Sequence, residues 1–323
     1  TGRRDGSSRF GPDNRFSNFG AIGAAWIFSD EPFIKKAFPF LSFGKFRGSY
    51  GTTGNDQIGD YGYLDAYEAT IGPGGLYPTT LANPNYSWEE NKKLEGAVEL
   101  GFFEDKFRLG VSWYRNRSDN QLVGYPLPAI TGFSSVQANL PATVENTGWE
   151  IEATSENFRN DNFQWQTSFN ISFPRNELVN YPNLEQSSFA NTYKVGHPLN
   201  ISLLYEYTGL DPETGFYTVR DVNDDGSFDY QDRTIIQDLN RDFFGGINNS
   251  FSHKNFSFQF LWEFVKQKGR FTVFNAGRPR NVSTKVLPAL ENEGNYQTIS
   301  FLDNLKDLGF EFAFISGISI AIN

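Results

Sequence analysis

Several residue types and patterns that would define a function class are missing from this chain of 323 residues. It contains no cysteine and no methionine, and the lack of cysteine excludes a disulfide framework, thiolate metal sites and cysteine nucleophiles. No run approaches the ~18 apolar residues that a transmembrane helix needs, which excludes a helical membrane protein. The 28 basic residues are outnumbered by 38 acidic ones, giving a formal charge of −10, which argues against nucleic acid as a partner.

Aromatic side chains are abundant, although the chain as a whole is polar. There are 33 Phe, 15 Tyr and 6 Trp, yet only 38% of the residues are hydrophobic. A soluble core with so many rings would normally also be rich in aliphatic residues. In a membrane β-barrel only alternate strand residues face lipid, so an aromatic lipid face and a polar average coexist.

Period-two alternation is the strongest local pattern. Residues 163–173 place Phe, Trp, Thr and Ile on one face and only Gln, Ser and Asn on the other. Residues 147–153 alternate in the same way, and the turn-forming run Arg-Asn-Asp-Asn at 159–162 separates the two segments. This arrangement predicts a hairpin of two long strands.

The same alternation recurs along the chain. It predicts hairpins at 94–102 with 107–113 and at 243–251 with 256–264, and further strands near 16–28, 41–50 and 314–322. The turns after Phe103 and Phe158 are short, whereas the segments 54–88, 124–144, 179–202 and 269–305 are long. We therefore predict an all-β fold, a transmembrane antiparallel β-barrel with long extracellular loops and short periplasmic turns. A soluble β-sandwich is the alternative, because it alternates too.

A series of ordered motifs resembles those of the SusC/RagA family of TonB-dependent outer-membrane transporters. The residues that carry the resemblance are Arg-Asp-Gly-Ser-Ser-Arg-Phe-Gly at 4–11 with Asn-Arg-Phe at 14–16, Arg-Gly-Ser-Tyr-Gly-Thr-Thr-Gly-Asn-Asp-Gln-Ile-Gly at 47–59, Asn-Pro-Asn-Tyr-Ser-Trp-Glu at 83–89, Tyr-Pro-Leu-Pro at 125–128, Thr-Gly-Phe-Ser-Ser-Val at 131–136 and Asn-Thr-Gly-Trp-Glu at 146–150. Asp-Pro-Glu-Thr-Gly at 211–215 and the loop 221–233 complete the set. The likeness extends over residues 3–264 and is poor beyond Lys266.

This resemblance implies a barrel of about 22 strands, of which residues 1–323 supply roughly the second half as one partial barrel domain. It also implies a location in the Gram-negative outer membrane, in contact with its lipid, and a plug, a TonB-interacting segment and closing strands outside this chain. The family imports glycans or peptides with a SusD-like surface lipoprotein and energy from TonB, and it is not enzymatic. A passive porin-like or structural barrel component and a secreted soluble calcium-binding β-protein remain alternatives.

One loop has the spacing of a calcium-binding loop. Oxygen-bearing residues stand at its first, third, fifth, seventh, ninth and twelfth positions, with a glycine at the sixth for the sharp turn: Asp221, Asn223, Asp225, Ser227, Asp229 and Asp232, with Gly226. The seventh ligand would be the main-chain carbonyl of Ser227. The alternative is a solvated acidic turn without metal.

Aromatic residues in the long loops are candidate substrate contacts, because sugar rings and peptides pack on flat aromatic faces. These candidates are Tyr61, Tyr63, Tyr67, Tyr77, Tyr125 and Phe133. Packing among the loops or against the lipoprotein is the alternative role. The pairs Glu95/Glu99 and Glu150/Glu152 are interpreted as polar lining of the barrel with salt bridges to Arg108 or to the plug, and the isolated His197 and His253 have no metal-site spacing.

Overall fold

The computed structural model describes residues 1–70, 72, 74–213, 215–268 and 318–322. Strands dominate these residues, and every strand pair with a defined register is antiparallel. The predicted all-β fold is therefore confirmed. The predicted loop at 269–305 lies outside the described residues, and of the predicted strand at 314–322 only 318–322 is described.

The strands are β1 (Gly2–Gly6), β2 (Phe16–Trp26), β3 (Leu41–Asn55), β4 (Ala66–Ala69), β5 (Leu76–Thr80), β6 (Glu89–Phe102), β7 (Phe107–Asp119), β8 (Gln121–Pro126), β9 (Ser135–Leu140), β10 (Thr143–Arg159), β11 (Phe163–Asn180), β12 (Ile201–Leu204), β13 (Tyr207–Leu210), β14 (Tyr217–Val219), β15 (Ile235–Asp238), β16 (Arg241–His253), β17 (Phe256–Gln267) and β18 (Ile318–Ile322). The helical segments are α1 (Pro32–Ala37) and the 3-10 turns Phe28–Asp30, Ala129–Thr131, Leu184–Gln186 and Tyr230–Asp232.

The chain divides into two compact units. The first contains Thr1–Glu152 and Ser172–Leu199, and its main sheet has the strand order β1-β2-β3-β6-β7-β10-β11. The second contains Ala153–Ile171 and the described residues after Asn200, with the order β10-β11-β16-β17-β18. Strands β10 and β11 each contribute residues to both units, since they are 17 and 18 residues long.

Consecutive long strands run in opposite directions, and short connections at one end alternate with long connections at the other. In the first unit the compact connections 27–40 and 103–106 lie at one end of the strands, which we call the turn end. The long segments 56–88, 120–142 and 181–199 follow the other end, which we call the loop end. The second unit has the same arrangement, with short turns at 160–162 and 254–255 and the long segment 200–240. The predicted contrast between short turns and long loops is confirmed for these segments.

Alternation sorts the first unit's strands into an apolar and a polar face. Phe46 pairs with Val98, and Val98 pairs with Val111, so one face is apolar across three strands. That face has no second protein layer among the described residues, because Trp149 is 53% exposed and Ile22 is 73% exposed. Large uncovered apolar surfaces of this kind mark contact with lipid or a partner.

Aromatic rings line the corresponding face of the second unit. Trp165 stacks on Phe251 with ring centroids 5.5 Å apart, and Phe251 stacks in turn on Phe260 at 6.3 Å. Trp262 on the neighbouring strand is 51% exposed. Asn249 is the polar exception, and it accepts hydrogen bonds from Trp165 Nε1 (3.1 Å) and Thr167 Oγ1 (2.7 Å), which satisfies its carbonyl on an otherwise apolar face.

The apolar face of the first unit ends sharply toward the loop end. From Phe107 to Trp113 the face covers roughly 20 Å of strand at ~3.4 Å per residue. Beyond it, alternate positions on the same face carry ion pairs, Lys92 with Asp119 (3.0 Å) and Arg117 with Glu145 (2.7 Å). An apolar band of about this height bounded by charge is what a membrane-spanning strand requires.

The polar face of the first unit carries ion pairs whose partners differ from the predicted ones. Arg47 bonds both Glu95 and Glu99, and Lys45 lies 3.5 Å from Glu99. The proposed partner Arg108 instead pairs with Asp105 at 3.2 Å, so that prediction was wrong. The register explains the difference, because Arg47 pairs with Ala97, midway between the two glutamates.

The long loops contain secondary structure of their own. The hairpins β4–β5 and β8–β9 occupy the segments 56–88 and 120–142. A small buried core lies at the loop end of the first unit, formed by Leu140, Ala142, Val144, Leu178, Tyr181 and Leu184. Searching the described residues for helices finds none long and apolar enough to cross a membrane.

Candidate functional site

A cluster of packed aromatic rings joins two of the sequence motifs at the loop end of the first unit. Phe10 and Tyr86 are fully buried, with ring centroids 5.8 Å apart in an edge-to-face arrangement. Trp88 packs against Phe10 at 5.3 Å and against Phe19 at 5.7 Å. We call these four residues the motif cluster. Aromatic pairs of this geometry stabilise beyond their burial alone, so the cluster fixes the segments that carry it.

A glycine beneath the motif cluster belongs to the motif at 47–59. Gly54 lies on β3 directly under the rings of Phe19 and Trp88, and a β-carbon there would collide with both. Only the absence of a side chain allows the two rings to approach the strand this closely.

Polar contacts tie the flanking segments together around this cluster. Arg9 Nε donates to Asp60 Oδ1 at 3.0 Å, and Arg9 Nη1 donates to the carbonyl of Asp56 at 2.9 Å. Asn14 Nδ2 donates to the carbonyl of Tyr86 at 3.3 Å. The segment 7–15 is thereby held against the long loop that follows β3, which is far from it in sequence.

The β8–β9 hairpin is attached to the same assembly. Tyr86 Oη donates to Gln137 Oε1 at 3.2 Å, and Asn83 Nδ2 donates to the carbonyl of Gln137 at 2.8 Å. Burial raises the pKa of the Tyr86 phenol, so this hydroxyl stays protonated and able to donate at neutral pH.

These contacts enclose a cavity of about 740 Å³, which we call the loop cavity. Residues 57–66 form most of its wall, and the remaining wall comes from Thr80, Tyr86, Leu122 and Gln137. Asp60, Tyr61 and Asp65 supply two carboxylates and one exposed ring. A cavity of this size, with several polar groups and one exposed ring, is suited to a small polar solute or to one residue of a longer chain.

The six predicted substrate-contact residues lie at different places in the first unit and do not form one site. Tyr61 lines the loop cavity and is exposed. Tyr63 is half-buried and packs beside Gly11. Tyr67 and Tyr77 lie on the β4–β5 hairpin and are exposed. Substrate contact by these residues stays a prediction, and Tyr61 has a cavity beside it.

The two hairpin tyrosines have carboxylate partners. Tyr77 Oη donates to Glu68 Oε2 at 2.7 Å, and this bond raises the pKa of the Tyr77 phenol. Hydrogen bonding to Asp65 raises the pKa of Tyr67 in the same way. Both phenols are therefore neutral donors at physiological pH, with their rings free to stack.

The remaining two candidates have structural contacts. Tyr125 packs edge-to-face on Phe189 at 5.8 Å and lies against the buried core of the loop end. Phe133 follows the 3-10 turn of the β8–β9 hairpin, where its main-chain N–H donates to Thr131 Oγ1 at 3.3 Å. For Tyr125 the observed contacts match the alternative role, packing among loops.

Asp60, Asp65 and Gln137 line the loop cavity, but the sequence analysis did not select them. The two carboxylates alternate with tyrosines in the run Gly-Asp-Tyr-Gly-Tyr-Leu-Asp at 59–65, and that interleaving was the available signal. No local pattern marks Gln137, because the hairpin that carries it reaches the cavity only through tertiary contacts.

The predicted calcium loop, residues 221–232, is organised by its own carboxylates. Asp221 Oδ2 accepts the main-chain N–H of Gly226 at 2.8 Å, and Asp225 Oδ1 accepts that of Ser227 at 2.8 Å. Asp232 is fully buried and accepts the N–H groups of Val222 (2.8 Å) and Asp229 (2.9 Å). These two bonds lower the pKa of Asp232.

Gly226 has a φ of +80°, which suits the sharp turn required at the sixth position of the loop. Within the residues that the structure describes, no group of three or more His, Asp or Glu side chains is gathered as a metal site. Binding by Asn223, Asp229 and the other predicted ligands would thus need the carboxylates to turn from main-chain N–H groups toward the ion. Calcium binding by the loop stays a prediction.

Comparison with known proteins identifies the family. The family described as "TonB dependent receptor-like, beta-barrel" matches residues 1–202. This chain belongs to the TonB-dependent receptor β-barrel family. The family places its strands in a transmembrane β-barrel of the outer membrane, and the resemblance to SusC and RagA is thereby confirmed.

Two relatives that are named as TonB-dependent receptors support this family assignment. The chain is 30% identical over 81% of its length to TonB-dependent receptor P39 of Formosa agariphila, covering 30% of that protein. It is 26% identical over 95% of its length to TonB-dependent receptor SusC of Bacteroides thetaiotaomicron, covering 35% of that protein. The chain thus spans about a third of the length of the curated relatives that it matches.

A solved structure shares the fold. The RagAB peptide transporter superposes with a TM-score of 0.67 at 25% identity, over 82% of this chain and 31% of the matched chain. The same transporter in an open-open state superposes with a TM-score of 0.66. The strands and loops that carry the motif cluster and the loop cavity therefore lie in the part of the chain that matches the TonB-dependent receptor family.

Proposed function

We propose that the whole protein is a TonB-dependent importer of the Gram-negative outer membrane, which takes up glycans or peptides with a SusD-like surface lipoprotein. The observation that carries this proposal is the loop cavity, held at the loop end of a chain of this family by the motif cluster. In such barrels the long loops face the exterior, where the solute arrives. The role is transport rather than catalysis.

Two further features support the proposal. Uncovered rings such as Trp149 and Trp262 suit a lipid belt, which an importer of this kind needs. The structural neighbour described as a peptide transporter favours peptides among the two substrate classes. In a peptide, amino groups would meet the carboxylates of Asp60 and Asp65, and side chains would pack on the ring of Tyr61.

Uptake in cells tests the proposal directly. A strain lacking the gene should lose uptake of a labelled peptide or oligosaccharide mixture, and the full-length gene should restore it. An uncoupler that dissipates the proton-motive force should stop uptake while leaving surface binding intact. Uptake that continues at the same rate with the uncoupler would instead show a passive porin-like barrel.

The cellular location of the protein distinguishes the importer from the remaining alternative, a secreted soluble calcium-binding β-protein. The importer should fractionate with the outer membrane and require detergent for extraction. Recovery of the full-length protein in a soluble secreted form, without detergent, would contradict the membrane assignment and favour the soluble calcium-binding β-protein.

Substitutions at the loop cavity test its part in solute binding. Tyr61→Ala should weaken binding of the transported solute, and Tyr61→Phe should largely restore it, because the ring stacks and the hydroxyl does not. Phe228→Ala is the matched control, since Phe228 is 60% exposed in a loop of the second unit. Equal losses for Tyr61→Ala and Phe228→Ala would refute a specific role of the loop cavity.

A further inference from the structure

The wall of the loop cavity carries negative charge without a basic residue. Its described lining residues include the carboxylates of Asp60 and Asp65 and no Lys or Arg. The other polar side chains of the wall are neutral, among them Gln57, Thr80 and Gln137. Charge of one sign along a concave wall attracts solutes of the opposite sign. The cavity is therefore complementary to a cation.

The two carboxylates of the wall differ in their counter-ions. Asp60 pairs with Arg9, whose Nε lies 3.0 Å from Asp60 Oδ1. Nη1 of the same guanidinium lies 3.7 Å from Asp56 Oδ2, so Arg9 is shared between two acids outside or at the edge of the wall. Asp65 hydrogen-bonds to the neutral phenol of Tyr67, and no Lys or Arg of the described residues pairs with it. Asp65 is thus the carboxylate of the wall that remains available to a cationic solute.

An aromatic ring lies on the same wall. Tyr61 lines the cavity and is 60% exposed. Two successive turns hold the segment that carries it, because the N–H of Gly62 donates to the carbonyl of Gly59 (3.2 Å) and the N–H of Leu64 donates to the carbonyl of Tyr61 (2.9 Å). The face of an aromatic ring attracts a cation through its quadrupole. The wall therefore offers two kinds of group that favour positive charge.

We propose that the loop cavity binds the cationic group of a peptide, with Asp65 as its counter-ion and the ring of Tyr61 as a second contact. The cation is the side-chain ammonium or guanidinium of a Lys or Arg residue, or the ammonium of the peptide N-terminus. The inference rests on the proposed function and deepens it, because it makes the importer selective for cationic over neutral and acidic solutes. A neutral glycan lacks the group that Asp65 recognises.

Isothermal titration of the detergent-purified full-length protein with matched peptides tests the proposal. The probes are alanine pentapeptides, amidated at the C-terminus, with a central lysine, norleucine or glutamate and an acetylated N-terminus. The norleucine peptide with a free N-terminus is a fourth probe, and it distinguishes an N-terminal ammonium from a side-chain cation. We expect a cationic peptide to bind about fivefold more tightly than the acetylated norleucine peptide, the effect of one partly exposed ion pair. The glutamate peptide should bind most weakly.

Three variants assign the preference to one carboxylate. Asp65→Asn keeps the size of the side chain and an acceptor oxygen for Tyr67, and it should abolish the preference for the cationic peptide. Asp65→Glu keeps the charge and should retain most of the preference. Glu68→Gln is the matched control, because Glu68 is an exposed carboxylate on the same loop that does not line the cavity and accepts the hydroxyl of Tyr77 at 2.7 Å. This control should leave the preference unchanged.

Equal binding of the cationic and neutral peptides by the wild-type protein would overturn the proposal. Equal effects of Asp65→Asn and Glu68→Gln would also overturn it, because they would show a general attraction to the acidic loop. Uptake that stops with the uncoupler but takes in lysine and norleucine peptides equally refutes the cation site and leaves the importer standing. Uptake that ignores the uncoupler refutes the importer, while the preference measured on the purified protein would still establish the cation site.

Discussion

The identity of some residues in this chain depends on the groups that contact them in the folded structure. Gly54 is required because two rings from other segments, Phe19 and Trp88, pack on it. Asp232 is required because two main-chain N–H groups need a buried acceptor. At Gly54 the close approach comes from segments far apart in the chain, whereas at Asp232 it comes from the loop's own residues.

The substitution Gly54→Ala should destabilise the full-length protein by about 1–3 kcal/mol, because the added methyl group overpacks the motif cluster. Chemical unfolding of the detergent-solubilised protein measures this change. The control is Gly110→Ala on β7, where a β-carbon would meet no atom within 4 Å. Similar losses of stability at both sites would show that the rings over Gly54 impose no constraint.

At Asp232 we expect a dependence on pH. Its pKa in the folded loop lies below the ordinary value of 3.8, so the ionised form stabilises the loop above that pH. This stabilisation is lost as the pH falls below 3.8 through the lowered pKa. Asn at this position keeps one acceptor oxygen and leaves one of the two N–H groups of Val222 and Asp229 unpaired.

Hydrogen–deuterium exchange at the amides of Val222 and Asp229 therefore measures both effects. In Asp232→Asn, one of the two amides should lose protection at neutral pH, whereas in the wild type protection should be lost only under acid conditions. Unchanged protection in the variant would show that another group orders the loop.

At the scale of elements, the strand faces follow from a local sequence pattern, whereas the loops depend on specific side-chain contacts. The strands β6, β7, β16 and β17 are determined by alternation, which is local, and their apolar faces emerge as predicted. The β8–β9 hairpin is held by long-range contacts with Asn83 and Tyr86, whereas the acidic loop at 221–232 is held by its own carboxylates. The predictions for the strands therefore test contact with lipid, and the predictions for the loops test ligand binding.

A charged side chain on the apolar face of β17 should destabilise the protein. Phe260→Arg should lower the free energy of unfolding by about 2–4 kcal/mol if the ring lies near the bilayer midplane, since an arginine there loses its hydration. Gln259→Arg, the next residue on the opposite face, is the control and should cost little. The measurement is reversible unfolding from lipid vesicles, and equal costs at both positions would contradict the assignment of faces.

The acidic loop gives a prediction for metal. If residues 221–232 bind Ca²⁺, isothermal titration of the full-length protein should show heat at millimolar Ca²⁺, and Asp221→Ala should remove it. Ser227→Ala is the matched control, because its expected ligand is the main-chain carbonyl, which the substitution keeps. The absence of binding heat in the wild type would leave the loop as a self-capped acidic turn.

For the whole molecule, the decisive property is where the uncovered rings lie. Trp149 is half exposed on the apolar face of the first unit, whereas Trp88 belongs to the motif cluster at the loop end. A transmembrane barrel places the former in the lipid belt and the latter outside it. In the proposed importer, a bilayer covers the apolar surface that the described residues leave open.

Fluorescence quenching by brominated lipids measures this placement. In full-length variants that keep a single tryptophan, with Phe at the other positions, bromine on the acyl chains should quench Trp149 strongly and Trp88 weakly. Comparable quenching of both residues would contradict the belt that the ion pairs Lys92–Asp119 and Arg117–Glu145 mark.

The sequence by itself determined the long strands of the main sheets, their faces, the contrast of turns and loops, and the family, but not the short strands inside the long loops. These properties follow from period-two alternation and from motifs of adjacent residues, both of which are local. It also located the loop segment that carries Tyr61, since aromatic residues there are interleaved with carboxylates and glycines.

Only the tertiary structure decided which residues meet. It placed Arg47 rather than Arg108 on Glu95 and Glu99, and it joined Gln137 to Tyr86 at the wall of the loop cavity. It also showed that Tyr125 packs on a buried core. The reason is physical: strand register and loop docking set contacts between residues far apart in the chain, and neither leaves a periodic trace in the sequence.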